Sequence, residues 1–197
     1  MKNNKVIAVV RFDDIKLALD FSQACIDGGI KLLEVITIKN GSLEIIEELS
    51  KLDDVIIGAG TVLNQKTAEN AYLAGAKFIV SPHTDPEVIE FTKSKGLTSI
   101  AGAFTSSEIV KAHSQGADYV KVFPASTGGP GYIKAIKEAL PFVNILVTGG
   151  INMQNAEDYI TAGASLLGIS TALTGKGDTF QIESVRANAK KIIDSLK

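Results

Sequence analysis

YVKVFPASTGGPGYIKAIKEALPFVNILVTGG, residues 119–150, carries in one stretch the pattern on which the fold turns. A short, nearly continuous apolar run (119–125) gives way to a segment of helical period (131–139), and a second apolar run follows (144–150). Strands covered on both faces read as such runs, because neither face alternates with water. Two parallel strands also need a crossover between them, usually a helix. The stretch is read as a βαβ unit.

Outward from it the pattern repeats along the chain. KVIAVVR (5–11), LLEVITI (32–38), VIIGAGT (55–61), FIVSPH (78–83) and TSIAGA (98–103) precede it and SLLGIST (165–171) follows, making eight apolar runs in all. Between and after them lie helical stretches at 13–27, 42–52, 64–75, 85–95, 105–115, 153–162 and 179–196, several opening on Asp, Ser or Asn as an N-cap. Gly28, Gly75, Gly96, Gly116 and Gly163 each follow a periodic segment, where a left-handed helix C-cap is expected. Eight units in 197 residues predict a lean (β/α)8 TIM barrel, a fold of about 250 residues in its usual form. A doubly wound open sheet normally has fewer strands and a glycine-rich turn after the first, where this chain has RFDD. One α/β domain over 1–197 is expected.

Twenty Lys and Arg against 22 Asp and Glu leave a net charge of -2, too weak a field to hold nucleic acid or an anionic membrane surface. Cys25 is the sole cysteine, so no intrachain disulfide forms, and a cytoplasmic setting is expected. MKNNKVIAVVRFDD is too short in apolar residues for a signal peptide, and no run of about 18 apolar residues could span a bilayer.

Charged residues inside doubly covered strands are costly, so the exceptions are informative. Lys121 lies within YVKVFPA, Glu34 within LLEVITI, and Arg11 ends KVIAVVR. A lysine enclosed by valines and an aromatic keeps its ammonium form at a cost, which favours the free amine that attacks a carbonyl. Lys121 is thus read as a Schiff-base nucleophile, the alternative being a lysine that only closes the barrel core. Glu34 is read as the group that moves protons at the carbinolamine and the substrate hydroxyl, or else as the plain partner of a buried ion pair. Arg11 stands at the carboxyl end of the first strand, where barrel active sites are built. Its planar fork suits a carboxylate, and a rim salt bridge to Asp13 or Asp14 is the other reading. Thr61 closes GAGT at the end of strand three, where the glycines let a ligand approach the backbone closely and the hydroxyl could hydrogen-bond the same carboxylate.

TGG (148–150) ends strand seven and GIST (168–171) ends strand eight. Barrels commonly bind phosphate in these two loops, through glycine-exposed N–H groups and a short helix N-terminus, so a phosphorylated substrate is expected. Pro82, Phe123 and Thr148, at the ends of strands four, six and seven, are grouped with the substrate-binding residues. His83 receives no role, while His113 and Cys25 are read as surface and packing residues. No spacing suits a metal ion, and neither metal nor cofactor is expected.

Taken together, VIAVVR (6–11), GGIKLLEV (28–35), GAGTV (58–62), FIVSPH (78–83), VKVFPA (120–125), GGPGYIKAI (128–136), VTGGIN (147–152) and GISTAL (168–173) resemble the 2-keto-3-deoxy-6-phosphogluconate (KDPG) aldolases, which are also described as 4-hydroxy-2-oxoglutarate aldolases. The resemblance implies that Lys121 forms the Schiff base, Glu34 is the general acid/base and Thr61 helps hold the pyruvate carboxylate. It further implies that Gly149, Gly150, Ser170 and Thr171 cradle the phosphate, that no cofactor is used, and that the protein is a cytoplasmic homotrimer serving sugar-acid degradation. Its small-molecule partners would be a phosphorylated keto acid and pyruvate. Many members carry an arginine four residues after the strand-two glutamate, where this chain has Ile38 followed by Lys39. In other members an arginine ending strand one serves instead, and Arg11 matches it. Two other readings stand beside this one. A sugar-phosphate isomerase on the same barrel would need paired acid/base groups, and a barrel that only senses a sugar phosphate would show ligand stabilisation without turnover.

Overall fold

A computed structural model describes residues 4–175 and 179–196. Eight parallel strands close into a barrel in chain order: β1 (Val6–Val10), β2 (Leu32–Ile36), β3 (Ile56–Gly60), β4 (Phe78–Val80), β5 (Thr98–Ala103), β6 (Tyr119–Val122), β7 (Ile145–Thr148) and β8 (Leu166–Ile169). Each strand lies within its expected apolar run, and β1 pairs with both β2 and β8, which leaves no open edge. The barrel is the fold predicted; of the expected span 1–197, residues 1–3, 176–178 and 197 lie outside the described residues.

Helices α1 (Ile15–Asp27), α2 (Ser42–Ser50), α3 (Gln65–Leu73), α4 (Pro86–Ser94), α5 (Ser106–Ser114), α6 (Gly129–Ala139) and α7 (Ala156–Thr161) each follow the strand of the same number. Local chemistry fixes where several begin. Asp14, Asn64 and Asp85 accept the N–H groups of Leu17, Thr67 and Glu87, and Thr105 forms a reciprocal capping box with Glu108. A short helix, α8 (Thr171–Thr174), stands between β8 and α9 (Ile182–Ser195) and was not assigned in the sequence.

One glycine expectation needs correcting. Gly75, Gly96, Gly116 and Gly163 have positive φ, but after α1 it is Gly29, at +99°, that does; Gly28 is right-handed at −80°. Gly28 has a different reason to be glycine. A Cβ there would stand 2.7 Å from the carbonyl oxygen of Arg186 and nearer still to the Ala189 Cβ, so it lets α1 and α9 touch.

Alternate side chains point inward and outward along each strand. Ile7, Leu32, Phe78, Val80, Ile100, Leu146 and Leu166 form a dry plug inside the barrel. Outward residues such as Ala8, Leu33 and Val120 join the larger core beneath the helices. Towards the carboxyl ends of the strands the inward column changes character, holding Glu34 on β2, Gly58 and Gly60 on β3, Gly102 on β5 and Lys121 on β6. Small residues there leave a space that the plug does not fill.

Candidate active site

Glu34 and Lys121 come from strands on different sides of the barrel, and both are buried, at 1% and 7% exposure. Their Nζ and Oε1 atoms stand 3.7 Å apart, too far for a hydrogen bond. Both carboxylate oxygens of Glu34 are buried with no hydrogen-bond partner among the described residues. Lys121 is an ion-pair partner at that distance, yet a buried carboxylate that accepts no hydrogen bond still carries a desolvation cost. Such a group persists where a ligand or water completes it, and here it faces a cavity of about 210 Å³.

The cavity is built by backbone as much as by side chains. At Gly60 a Cβ would come 2.6 Å from Glu34 Cγ and nearer still to Oε1, so the glycine gives the carboxylate its room. At Gly102 a Cβ would come 2.5 Å from the His83 nitrogen; its absence lets the end of β4 cross the rim and bring Pro82 to the cavity wall. Phe123 forms another wall, with Lys121 Nζ 5.6 Å from its ring centre, so the aromatic face shields the amine from bulk solvent. Thr61 lines the same cavity from a left-handed backbone, φ +56°. For a β-branched residue this is a strained conformation of about 1–3 kcal/mol, of the kind found where function fixes a side chain.

A second cavity of about 200 Å³ adjoins the first, and Arg11, Phe123 and Thr148 line both. It is completed by Gly149, Gly150, Ser170 and Thr171. Gly149 and Gly150 have φ of +87° and +84°, which turns the chain sharply after β7. The N–H groups of Gly149, Gly150 and Thr171 donate to no acceptor among the described residues. Ser170 and Thr148 spend their hydroxyl protons on the carbonyls of Val9 and Gly168, so their side chains shape the loops and leave the N–H groups to meet an anion.

Arg11 makes no salt bridge with Asp13 or Asp14. Asp13 accepts Lys39 Nζ at 2.6 Å and the Asn40 N–H, and the Lys39 hydrogen bond, followed by Asn40, holds the Asp13 carboxyl below its ordinary range. Asp14 is occupied as the α1 cap. Arg11 is therefore exposed and without an ion-pair partner among the described residues. Ile38 reaches the first cavity from its rim, while Lys39 turns away to Asp13. His83 lies on a separate cavity, its Nδ1 3.2 Å from Ser81 Oγ. Cys25 is fully buried, and burial pushes its thiol far above the usual range, which suits the packing role expected of it.

Every residue singled out in the sequence as catalytic or substrate-binding lines one of these two cavities. The sequence marked the GAGT glycines for close approach of a ligand, whereas in the structure Gly60 makes room for Glu34; Gly102 was not singled out, although a glycine inside a strand signals a close approach. Sequence reasoning also missed the apolar wall of Val9, Ile36 and Ile38, which looks like ordinary strand composition.

Comparison with known proteins adds a second line of argument. The family model described as "Aldolase: KDPG and KHG aldolase" matches residues 1–187. A 2-dehydro-3-deoxy-phosphogluconate aldolase of Treponema pallidum is 35% identical over 158 residues, 79% of this chain and 75% of the relative. A solved structure described as native KDPGal superposes with a TM-score of 0.89 at 30% identity, covering 96% of this chain and 93% of the other. The KDPG aldolase of Legionella pneumophila, solved with pyruvate captured as a covalent carbinolamine, has a TM-score of 0.88 at 27% identity, with 97% and 95% covered.

Proposed function

The chain belongs to the KDPG and KHG aldolase family, and from that premise we propose that it is a class I aldehyde-lyase cleaving 2-keto-3-deoxy-6-phosphogluconate to pyruvate and glyceraldehyde 3-phosphate. Cleavage of 4-hydroxy-2-oxoglutarate to pyruvate and glyoxylate is its secondary reaction. The observation that carries the reading is a buried lysine facing a cavity, with a carboxylate 3.7 Å away that has no hydrogen-bond partner among the described residues.

In this mechanism Lys121 Nζ adds to the C2 carbonyl to form a carbinolamine. Loss of its hydroxyl as water, with Glu34 supplying the proton, leaves a protonated imine. Glu34 then accepts the C4 hydroxyl proton, C4 leaves as the aldehyde, and the electrons of the C3–C4 bond pass into the imine to give an enamine. Protonation at C3 and hydrolysis release pyruvate and restore the free lysine. The Legionella relative holds its pyruvate as a carbinolamine, the first intermediate of this sequence.

Arg11 and Thr61 bind the carboxylate in this reading, Pro82 and Phe123 confine the three-carbon keto acid, Gly149, Gly150, Ser170 and Thr171 receive the phosphate, and Thr148 lines the substrate's path between the two cavities. The reading extends to a cytoplasmic homotrimer in sugar-acid breakdown of the Entner–Doudoroff type. Pyruvate release from synthetic KDPG tests it. Lys121→Ala is expected to lose turnover entirely, and Glu34→Gln to lose about 100-fold to 10,000-fold while still binding a phosphorylated acid. Wild-type rates from Lys121→Ala would rule the mechanism out.

A further inference from the structure

The two cavities differ in how they can hold an anion. Around the glycine loops, Gly149, Gly150 and Thr171 line the cavity, and their N–H groups have no acceptor among the described residues. The cavity at Lys121 is lined largely by apolar side chains, Val9, Ile36 and Ile38 among them, with Thr61 and Thr148 as its uncharged polar residues. Apart from Lys121, whose charge the protonated imine carries, Arg11 supplies the one guanidinium or ammonium among the described residues lining either cavity, and it lines both. Among the described residues, a substrate with a carboxylate at one end and a phosphate at the other therefore shares a single guanidinium.

From this we infer that Arg11 is divided between the two anionic ends and that Ile38 sets how strongly the enzyme depends on the phosphate. The inference rests on the aldolase reading. An apolar side chain at 38 leaves the carboxylate end short of charge, so the remote phosphate and its N–H donors supply most of the binding used in catalysis. Keto acids without a phosphate lose that contribution and find nothing at the carboxylate end to replace it. Ile38 is 65% exposed at the rim, so a longer charged side chain fits there without disturbing the core.

The test compares kcat/KM for KDPG and for its phosphate-free analogue, 2-keto-3-deoxygluconate, in the wild type and in Ile38→Arg. The wild type is expected to favour the phosphorylated acid by about 100-fold or more, because hydrogen bonds to charged groups typically contribute enough for a factor of 10 to 100 each. Ile38→Arg is expected to narrow that ratio about tenfold by giving the carboxylate its own guanidinium. Ile38→Lys, a shorter point charge, should narrow it less. A wild-type ratio near one, or a ratio unmoved by either variant, overturns the inference while leaving the aldolase reading intact. Absence of cleavage of both acids, with no borohydride-trapped adduct on Lys121, overturns the aldolase reading and the inference with it.

Discussion

Gly60 has no side chain where Glu34 needs space, and this sets up a quantitative test of how the site is built. A Cβ at position 60 would lie 2.6 Å from Glu34 Cγ and 2.7 Å from Cδ, whereas ordinary contact begins near 3.4 Å. Gly60 ends a strand of the closed barrel and Glu34 pairs with Gly58 on that same strand, so the backbone has little freedom to yield. The carboxylate must therefore move by roughly 1 Å in Gly60→Ala. Overpacking of this kind costs about 1–3 kcal/mol of stability. For a chain of this size that is a fall in Tm of about 2–12 °C. Displacing a proton-transfer group by about 1 Å costs about 100-fold in turnover. Pyruvate release measured beside a thermal melt reads both effects. The same substitution on a Glu34→Ala background removes the atoms in the way, so its stability cost there should fall below about 0.5 kcal/mol. If Gly60→Ala keeps wild-type kcat, or if the two stability costs simply add, the close fit of Gly60 against Glu34 is not what positions the carboxylate.

Thr61→Gly should relieve a left-handed backbone while removing a hydroxyl from the cavity, so net stability rises by about 1 kcal/mol as kcat/KM falls at least about tenfold; a melt and a rate that fall together would contradict it. Gly28→Ala places a Cβ 2.7 Å from the Arg186 carbonyl oxygen, far from both cavities, and should cost about 1–3 kcal/mol in the melt with kcat unchanged. Glu108 is held below its ordinary value of 4.5 chiefly by the N–H groups of Thr105 and Phe104. A lowered folded-state value stabilises the protein above 4.5 and loses that effect as the pH falls through the folded value, so the Tm gap between wild type and Glu108→Gln should shrink on acidification below 4.5.

The eight strands were legible because strands covered on both faces leave unbroken apolar runs, and the two charges that interrupt them, Glu34 and Lys121, are the pair that meets in the cavity. Arg11 was legible through topology, since the carboxyl ends of barrel strands converge on one face. What stayed hidden depended on contacts between distant segments. Nothing local distinguishes Gly28 from Gly29, because the first is fixed by α9 across the fold and the second by its own φ. Gly60 and Gly102 show their purpose only when Glu34 and the end of β4 are in place beside them. The α8 helix, of which only Thr171 falls in the 165–171 run, stayed unassigned before the 179–196 segment because four residues carry too little period to separate. The competition for Asp13, which Lys39 wins over Arg11, is likewise a matter of reach between loops.

Borohydride reduction in the presence of pyruvate, followed by peptide mass spectrometry, tests the central claim most directly. A pyruvate-derived mass is expected on the peptide containing Lys121, localised to that residue and absent without pyruvate. Pyruvate that binds to the protein yet leaves Lys121 unmodified would contradict it.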